Sequence, residues 1–305
     1  MENILLPHRD RTVRRMKAHK TVLCIQDGTD LNYSGLAQCE GLGTIGTNQT
    51  GAKSQGLHLH STLAVTADGV PLGVLLAQCV APKPKSKEDA RPSSAVPIEE
   101  KKTFSWIVGL RDCAEVARKM PDTQLVSVMD READFFELFD EQLSHPRVEL
   151  LVRAKHNRVT AEGANLFDAV GQTPVRSQLR IQVPRQSARP KKSKQKARPQ
   201  RIKRTADVSL RYHRVELQHP PYLPDREPIP LWVIQVTEEH PPKGVEPLQW
   251  FLLITVKIDS VEQAEACLRW YCLRWRIEHG NPGARRGHCA VAGALVHPKD
   301  DAVIR

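Results

Sequence analysis

The sequence predicts an α/β protein built on a mixed sheet, with a β-rich insertion in its second half. Three observations point there. Runs of apolar and β-branched residues at 21–26, 125–129, 148–153 and 250–257 read as short strands, those at 125–129 buried on both faces. Helical patterns over 103–119 and near 133–143 alternate with them, an order that gives an α/β sheet. Residues 177–217 and 230–237 then break the alternation, because strand-like segments follow one another there with no strong helix beyond a short pattern near 165–171.

Taken in order, residues 1–20 are basic and short of apolar periodicity, and they read as a loose lead-in without the apolar core of a signal peptide. The strand at 21–26 ends in Asp27. Residues 57–67 and 71–80 flank Asp68-Gly69, a two-residue hairpin signal, so three strands are expected before the first good helix, with an antiparallel hairpin at one side of the sheet. Residues 81–98, rich in Pro, Lys and Ser, read as an exposed loop. The helix at 103–119 places Trp106, Ile107, Leu110, Ala114 and Ala117 on one face.

Residues 124–136, QLVSVMDREADFF, organise the rest. The buried run ends in Asp130, and an acid at the carboxyl end of a buried strand points into the crevice where α/β sheets bind ligands. Asp is also a preferred helix N-cap, and this stretch alone fits that role as well. Sequential pairing sets the strands at 21–26 and 124–129 side by side and parallel, so Asp27 and Asp130 emerge at the same end, roughly 5 Å apart. Two such carboxylates repel unless one keeps its proton or a cation lies between them. Hard oxygen ligands suit Mg²⁺ or Mn²⁺.

The last helical pattern covers 260–278, opened by Ser260 with Glu262 two positions on, short of the capping-box spacing. Tyr271, Arg274 and Glu278 share one face, and the opposite face, with Leu268 and Trp275, is left for packing. Arg274 and Glu278 also fit a plain i,i+4 surface ion pair.

Charge is localised. The chain has 305 residues and a net charge of +10, yet residues 185–204 alone carry ten of the 45 Lys and Arg and none of the 35 acids, leaving the remainder balanced. Such a patch suits a polyanion, and a solvated loop of this kind grips phosphates without reading sequence. Seven cysteines without a CxxC pair suit neither a zinc ribbon nor a disulfide framework, which points to thiols in a reducing cytosol. No run is apolar enough for a membrane span.

Asp27 in CIQDGTDL, Asp130 in MDREAD and the Tyr271-x2-Arg274-x3-Glu278 helix resemble the DDE transposases of bacterial insertion sequences, IS-4 type. The likeness runs from about residue 20 to 278 and includes RAKHNR at 153–158 and Trp250, 21 residues before Tyr271. It implies an RNase H-like core over 21–154, a β-rich insertion over 155–248, and a return to the core at 249–279 with its last strand and Glu-bearing helix. By the same resemblance Asp27, Asp130 and Glu278 hold two Mg²⁺ or Mn²⁺ ions and catalyse DNA cleavage and strand transfer. Arg153, Trp250, Tyr271 and Arg274 correspond to residues around the cleaved end, where a base stacks on an aromatic ring and Arg grips phosphate. Lys155, His156 and Arg158 line the same DNA path, with Lys191, Lys192, Lys194 and Lys196 of the basic loop. The implied partners are DNA, as transposon end and target, and a second copy of the chain. The implied location is the bacterial cytoplasm, at the nucleoid.

Past Glu278 the likeness stops. Arg285 falls where the family carries Lys, but Gly280, Pro282 and Gly283 intervene, and Pro282 opposes a helix carbonyl at Glu278. Residues 280–305 read as an aberrant tail, and with 1–20 as a remnant the chain reads as a core fragment. The alternative to an enzyme is a catalytically dead DNA-binding remnant that inhibits transposition.

Overall fold

Strand β1 (Thr21–Asn32) is the axis of the computed structural model, which describes residues 2–36, 38–47, 52–82, 91–92, 95–183, 185, 188, 200 and 202–274. Its first half is buried at nearly every position, so it needs strands on both edges and cover on both faces. On one edge it pairs in parallel with β5 (Gln124–Met129), Thr21 opposite Gln124 and Ile25 opposite Val128. Parallel pairing then continues from β5 to β6 (Val148–Arg153). On the other edge β1 is antiparallel to β3 (Lys53–Thr66), whose far edge is shared by β2 (Gly43–Thr47) and β4 (Pro71–Val80). The β3–β4 hairpin turns at Gly69 with φ 91°, a conformation that glycine adopts without strain. Beyond β6 the sheet runs on antiparallel through β10 (Gln249–Ile254), β9 (Ile229–Glu238), β8 (Arg204–Leu217) and β7 (Ser177–Val183).

The expected mixed sheet, its hairpin and its two adjacent parallel strands are present. Two expectations need correcting. β1 does not end at Asp27 but continues to Asn32, carried by its pairing with β3, Asp27 opposite Ser61. β2, a GTIGT segment without apolar alternation to mark it, adds a fourth strand ahead of the main helix. The β-rich stretch extends the same sheet, because β9 pairs directly with β10 from Gln249–Thr237 to Ile254–Trp232. A strand as buried as β9 requires both neighbours, and the core sheet supplies one of them.

The lead-in is also ordered, as helix α1 (Glu2–Met16). It docks through polar anchors, which leave no apolar period to read. Arg9 meets Asp112 at 2.6 Å, and Arg15 Nε donates to the Leu72 carbonyl at 2.6 Å. Gly73 lets the helix approach β4, since a Cβ there would lie 2.2 Å from Thr12 Oγ1. Met16 is driven fully into the apolar core.

Alternation along the strands divides the core in two. Val22 and Cys24 face a cluster formed with α2 (Phe104–Arg118), α3 (Phe136–Leu143) and α4 (Leu166–Gly171). Leu23 and Ile25 face the other cluster, closed by α5 (Val261–Cys272). α5 opens with a complete capping box, but Gln263 at the third helical position makes it, not Glu262. Its packing face also differs from expectation. Tyr271 lies three residues from Leu268, and both are buried in the same cluster, so the tyrosine belongs to the packed face.

Between β3, β1 and β5 lies a buried polar chain. Gln26 receives His60 Nε2 at 2.9 Å and donates to Ser127 Oγ at 3.3 Å. Gly109 of α2 admits it, because a Cβ there would sit 2.2 Å from Gln26 Oε1. The six described cysteines form no disulfide, and among the described residues no helix is long and apolar enough to cross a membrane.

Candidate active site

Asp27 and Asp130 follow Ile25 and Val128 by two residues on their strands, and those two residues are register partners packed in the α5-side cluster. Both carboxylates therefore continue onto the α5 face of the sheet, opposite one another across the parallel pair. Asp130 does cap, as its alternative reading required, but it caps a 3-10 turn (Arg131–Ala133) by accepting the Glu132 N–H at 2.7 Å. That hydrogen bond uses Oδ1 and holds the carboxylate at the strand end, so the capping role supports the site.

α5 brings its end residues to the same place. Arg274 Nη1 stands 3.5 Å from Asp27 Oδ1, with side chains 10% and 30% exposed. Tyr271 packs edge-on against Trp250 of β10, centroids 5.5 Å apart. Arg153, at the end of β6 and opposite Leu252 of β10, lays its guanidinium over the Trp250 ring at 5.5 Å. A cation over a largely desolvated indole contributes on the order of 1–2 kcal/mol, enough to order the arginine. Burial raises the Tyr271 hydroxyl above its ordinary range, and Asp130 adds to the rise, while Arg153 and Arg274 pull it down. Burial likewise lowers Arg153, with Arg131 and Arg274 acting in the same direction. These mutual effects place Arg153, Tyr271, Arg274 and Asp130 within one electrostatic neighbourhood.

Trp250 is 4% exposed and Tyr271 3%, so both rings are enclosed by their neighbours. Stacking a base on Trp250 requires the Arg153 guanidinium or Tyr271 to move aside.

The segment after β6 shows a role that the sequence reading missed. Asp134, the second aspartate of MDREAD, has a fully buried side chain that ion-pairs with Arg158 at 2.7 Å. Its Oδ2 accepts the backbone N–H groups of Lys155 at 2.6 Å and His156 at 2.9 Å. Asp134 thus ties the strand-end loop to RAKHNR. Arg158 is turned inward to this pair and to the Asp134 carbonyl, while the Lys155 and His156 residues are exposed. An acid and an arginine sited just past two parallel strand ends were the available signal. Arg131 was also passed over, although it is exposed beside Asp130 and near Arg153.

Glu278, Trp275, Lys191, Lys192, Lys194 and Lys196 lie outside the described residues, as does the expected break at Pro282. Among the described residues no group of three or more His, Cys, Asp or Glu side chains forms a metal site. Asp27 and Asp130 alone fit Mg²⁺ or Mn²⁺, which bind through one or two carboxylates and complete their shell with water and substrate phosphate. No protein-family model matches this chain.

Proposed function

We propose that this chain is the RNase H-like catalytic core of a DDE transposase, a metal-dependent enzyme that cuts a DNA strand at a transposon end and joins the freed 3′-hydroxyl to a target. The observation that carries the reading is the convergence of Asp27, Asp130, Arg153, Trp250, Tyr271 and Arg274 at one end of a parallel strand pair. Five separate chain segments supply them, and packing alone gives no reason for two carboxylates and two arginines to meet there. The mixed order β4-β3-β1-β5-β6 supports the RNase H-like assignment of the core.

Asp27 and Asp130 would hold Mg²⁺ or Mn²⁺, with Glu278 as the third acid. When bound, the ions supply activation of a water or 3′-hydroxyl and stabilisation of the leaving oxygen in an in-line displacement at phosphorus. The protein's own groups position the DNA. Arg274 pairs with Asp27 and places a planar guanidinium, a group suited to phosphate, beside the carboxylates. Arg153 is ordered by Trp250 and presents a second fork beside it. Lys155 and His156, held by Asp134, contact the backbone further along, and the basic loop at 185–204 adds affinity independent of sequence.

The test is nicking of supercoiled plasmid with Mn²⁺ by the full chain. The proposal expects slow nicking that Asp27→Ala abolishes, and nicking undiminished in Asp27→Ala refutes it. The second reading, a DNA-binding remnant that inhibits transposition, is favoured by Pro282 four residues after Glu278. It expects plasmid binding without nicking in either protein.

A further inference from the structure

On the α2 side of β1, opposite the carboxylates, two histidines of β3 meet at a glycine. His58 and His60 alternate onto the same face of the strand, and Gly28 is the register partner of His60. A Cβ placed on Gly28 would lie 3.3 Å from His58 Nε2 and 3.5 Å from His60 Nδ1. The missing side chain therefore lets both rings close on the strand, leaving a narrow gap that two ring nitrogens border. The far nitrogen of each ring is already committed. His58 Nδ1 is 2.9 Å from Asp30 Oδ1, and His60 Nε2 is 2.9 Å from Gln26 Oε1, whose amide donates onward to Ser127. Those acceptors place the ring protons on His58 Nδ1 and His60 Nε2, leaving His58 Nε2 and His60 Nδ1 as lone-pair donors at the gap. His60 is 1% exposed and its Nδ1 has no hydrogen-bond partner, a cost that a bound group would relieve.

We propose that His58 and His60 form a binding site for a borderline transition-metal cation of the Zn²⁺ class, separate from the Asp27–Asp130 pair. Imidazole suits Zn²⁺, whereas Mg²⁺ selects oxygen, so the two sites differ in the ion they take. Ligating histidines characteristically donate their second N–H to a carboxylate or carbonyl, the arrangement that Asp30 and Gln26 provide here. The remaining coordination positions fall to water, since no third His, Cys, Asp or Glu joins the pair among the described residues. Burial, first of all, lowers both imidazoles, His60 to about 3, so both are neutral and able to ligate at neutral pH.

The test is calorimetric titration of the full chain with Zn²⁺ in excess Mg²⁺, repeated with Co²⁺ to read nitrogen ligation from its visible absorption. The proposal expects binding that survives in Asp130→Asn. Binding should weaken at least tenfold in His58→Gln and in Gly28→Ala, whose methyl would sit 3.0 Å from His58 Cε1. Asp30→Ala, which removes the outer acceptor that His58 shares with Lys102, should weaken it about tenfold. Circular dichroism on each variant separates lost binding from lost folding, and His58, at the rim, is the substitution that the fold tolerates better than His60. Zn²⁺ binding that is absent in the wild type, lost in Asp130→Asn, or unchanged in folded His58→Gln overturns the proposal.

Discussion

Replacing Asp134 by Ala is expected to lower the unfolding free energy by about 3–5 kcal/mol, the cost of removing one partner from a buried ion pair. The structure gives the reasons for that range. The Asp134 side chain is fully buried and Arg158 is 19% exposed, so the stranded guanidinium reaches little water. The N–H groups of Lys155 and His156 lose their acceptor too, but both residues are exposed, and solvent replaces most of that loss. Urea denaturation followed by circular dichroism measures the change. With a slope of about 2–3 kcal/mol per molar, the midpoint should fall by roughly 1–2 M. Asp134→Ala/Arg158→Ala should be less destabilised than the sum of the single variants, by about 1–3 kcal/mol, because no buried charge is left alone. A loss below about 1 kcal/mol in Asp134→Ala would show that the pair is open to water, and the argument that Asp134 sets the strand-end loop would fail.

Two further outcomes are expected. His60 is buried neutral with its pKa lowered from 6.5 to about 3, first by burial and then by His58 and Lys102. The unfolded chain therefore takes up a proton below pH 6.5 that the folded chain refuses, so stability is full above 6.5 and falls on acidification. At pH 5 in chelator the loss from this group is about 2 kcal/mol, and a folded His60→Gln variant whose stability falls just as steeply between pH 6.5 and 5 would contradict it. Deleting residues 185–204, with ten Lys and Arg, should weaken binding to all duplexes alike and flatten its salt dependence; an unchanged slope would place the DNA path elsewhere.

The parts of this fold that were legible in the sequence are those written in apolar period. The strands at β1, β5, β6 and β10, the helix α2 and the 68–69 turn all follow from local pattern, and adjacency of β1 to β5 follows from sequential pairing. What escaped was held by polar contacts or by distant partners. α1 is anchored by Arg9, Thr12 and Arg15, and β2 exists because the long β3 offers an edge beyond the reach of β4. The joining of β9 to β10 depends on which edge a buried strand finds, and local pattern does not carry that information. Within the site, sequential strand pairing set Asp27 and Asp130 side by side, whereas Tyr271 and Arg274 were singled out by the resemblance, since helix spacing alone fits packing or a surface ion pair as well. Asp134 was hidden because its function is to bind backbone amides some twenty residues away, a contact with no sequence period.

The measurement that bears most directly on the proposed chemistry is Mn²⁺ binding, read by electron paramagnetic resonance on the full chain and on Asp27→Asn and Asp130→Asn. Each asparagine keeps the side chain's size and removes one anionic ligand, so packing is preserved while one of the negative charges that attract the cation is lost. The account predicts that wild type binds Mn²⁺ and that either substitution weakens binding by tenfold or more. Equal Mn²⁺ binding by all three proteins would contradict it.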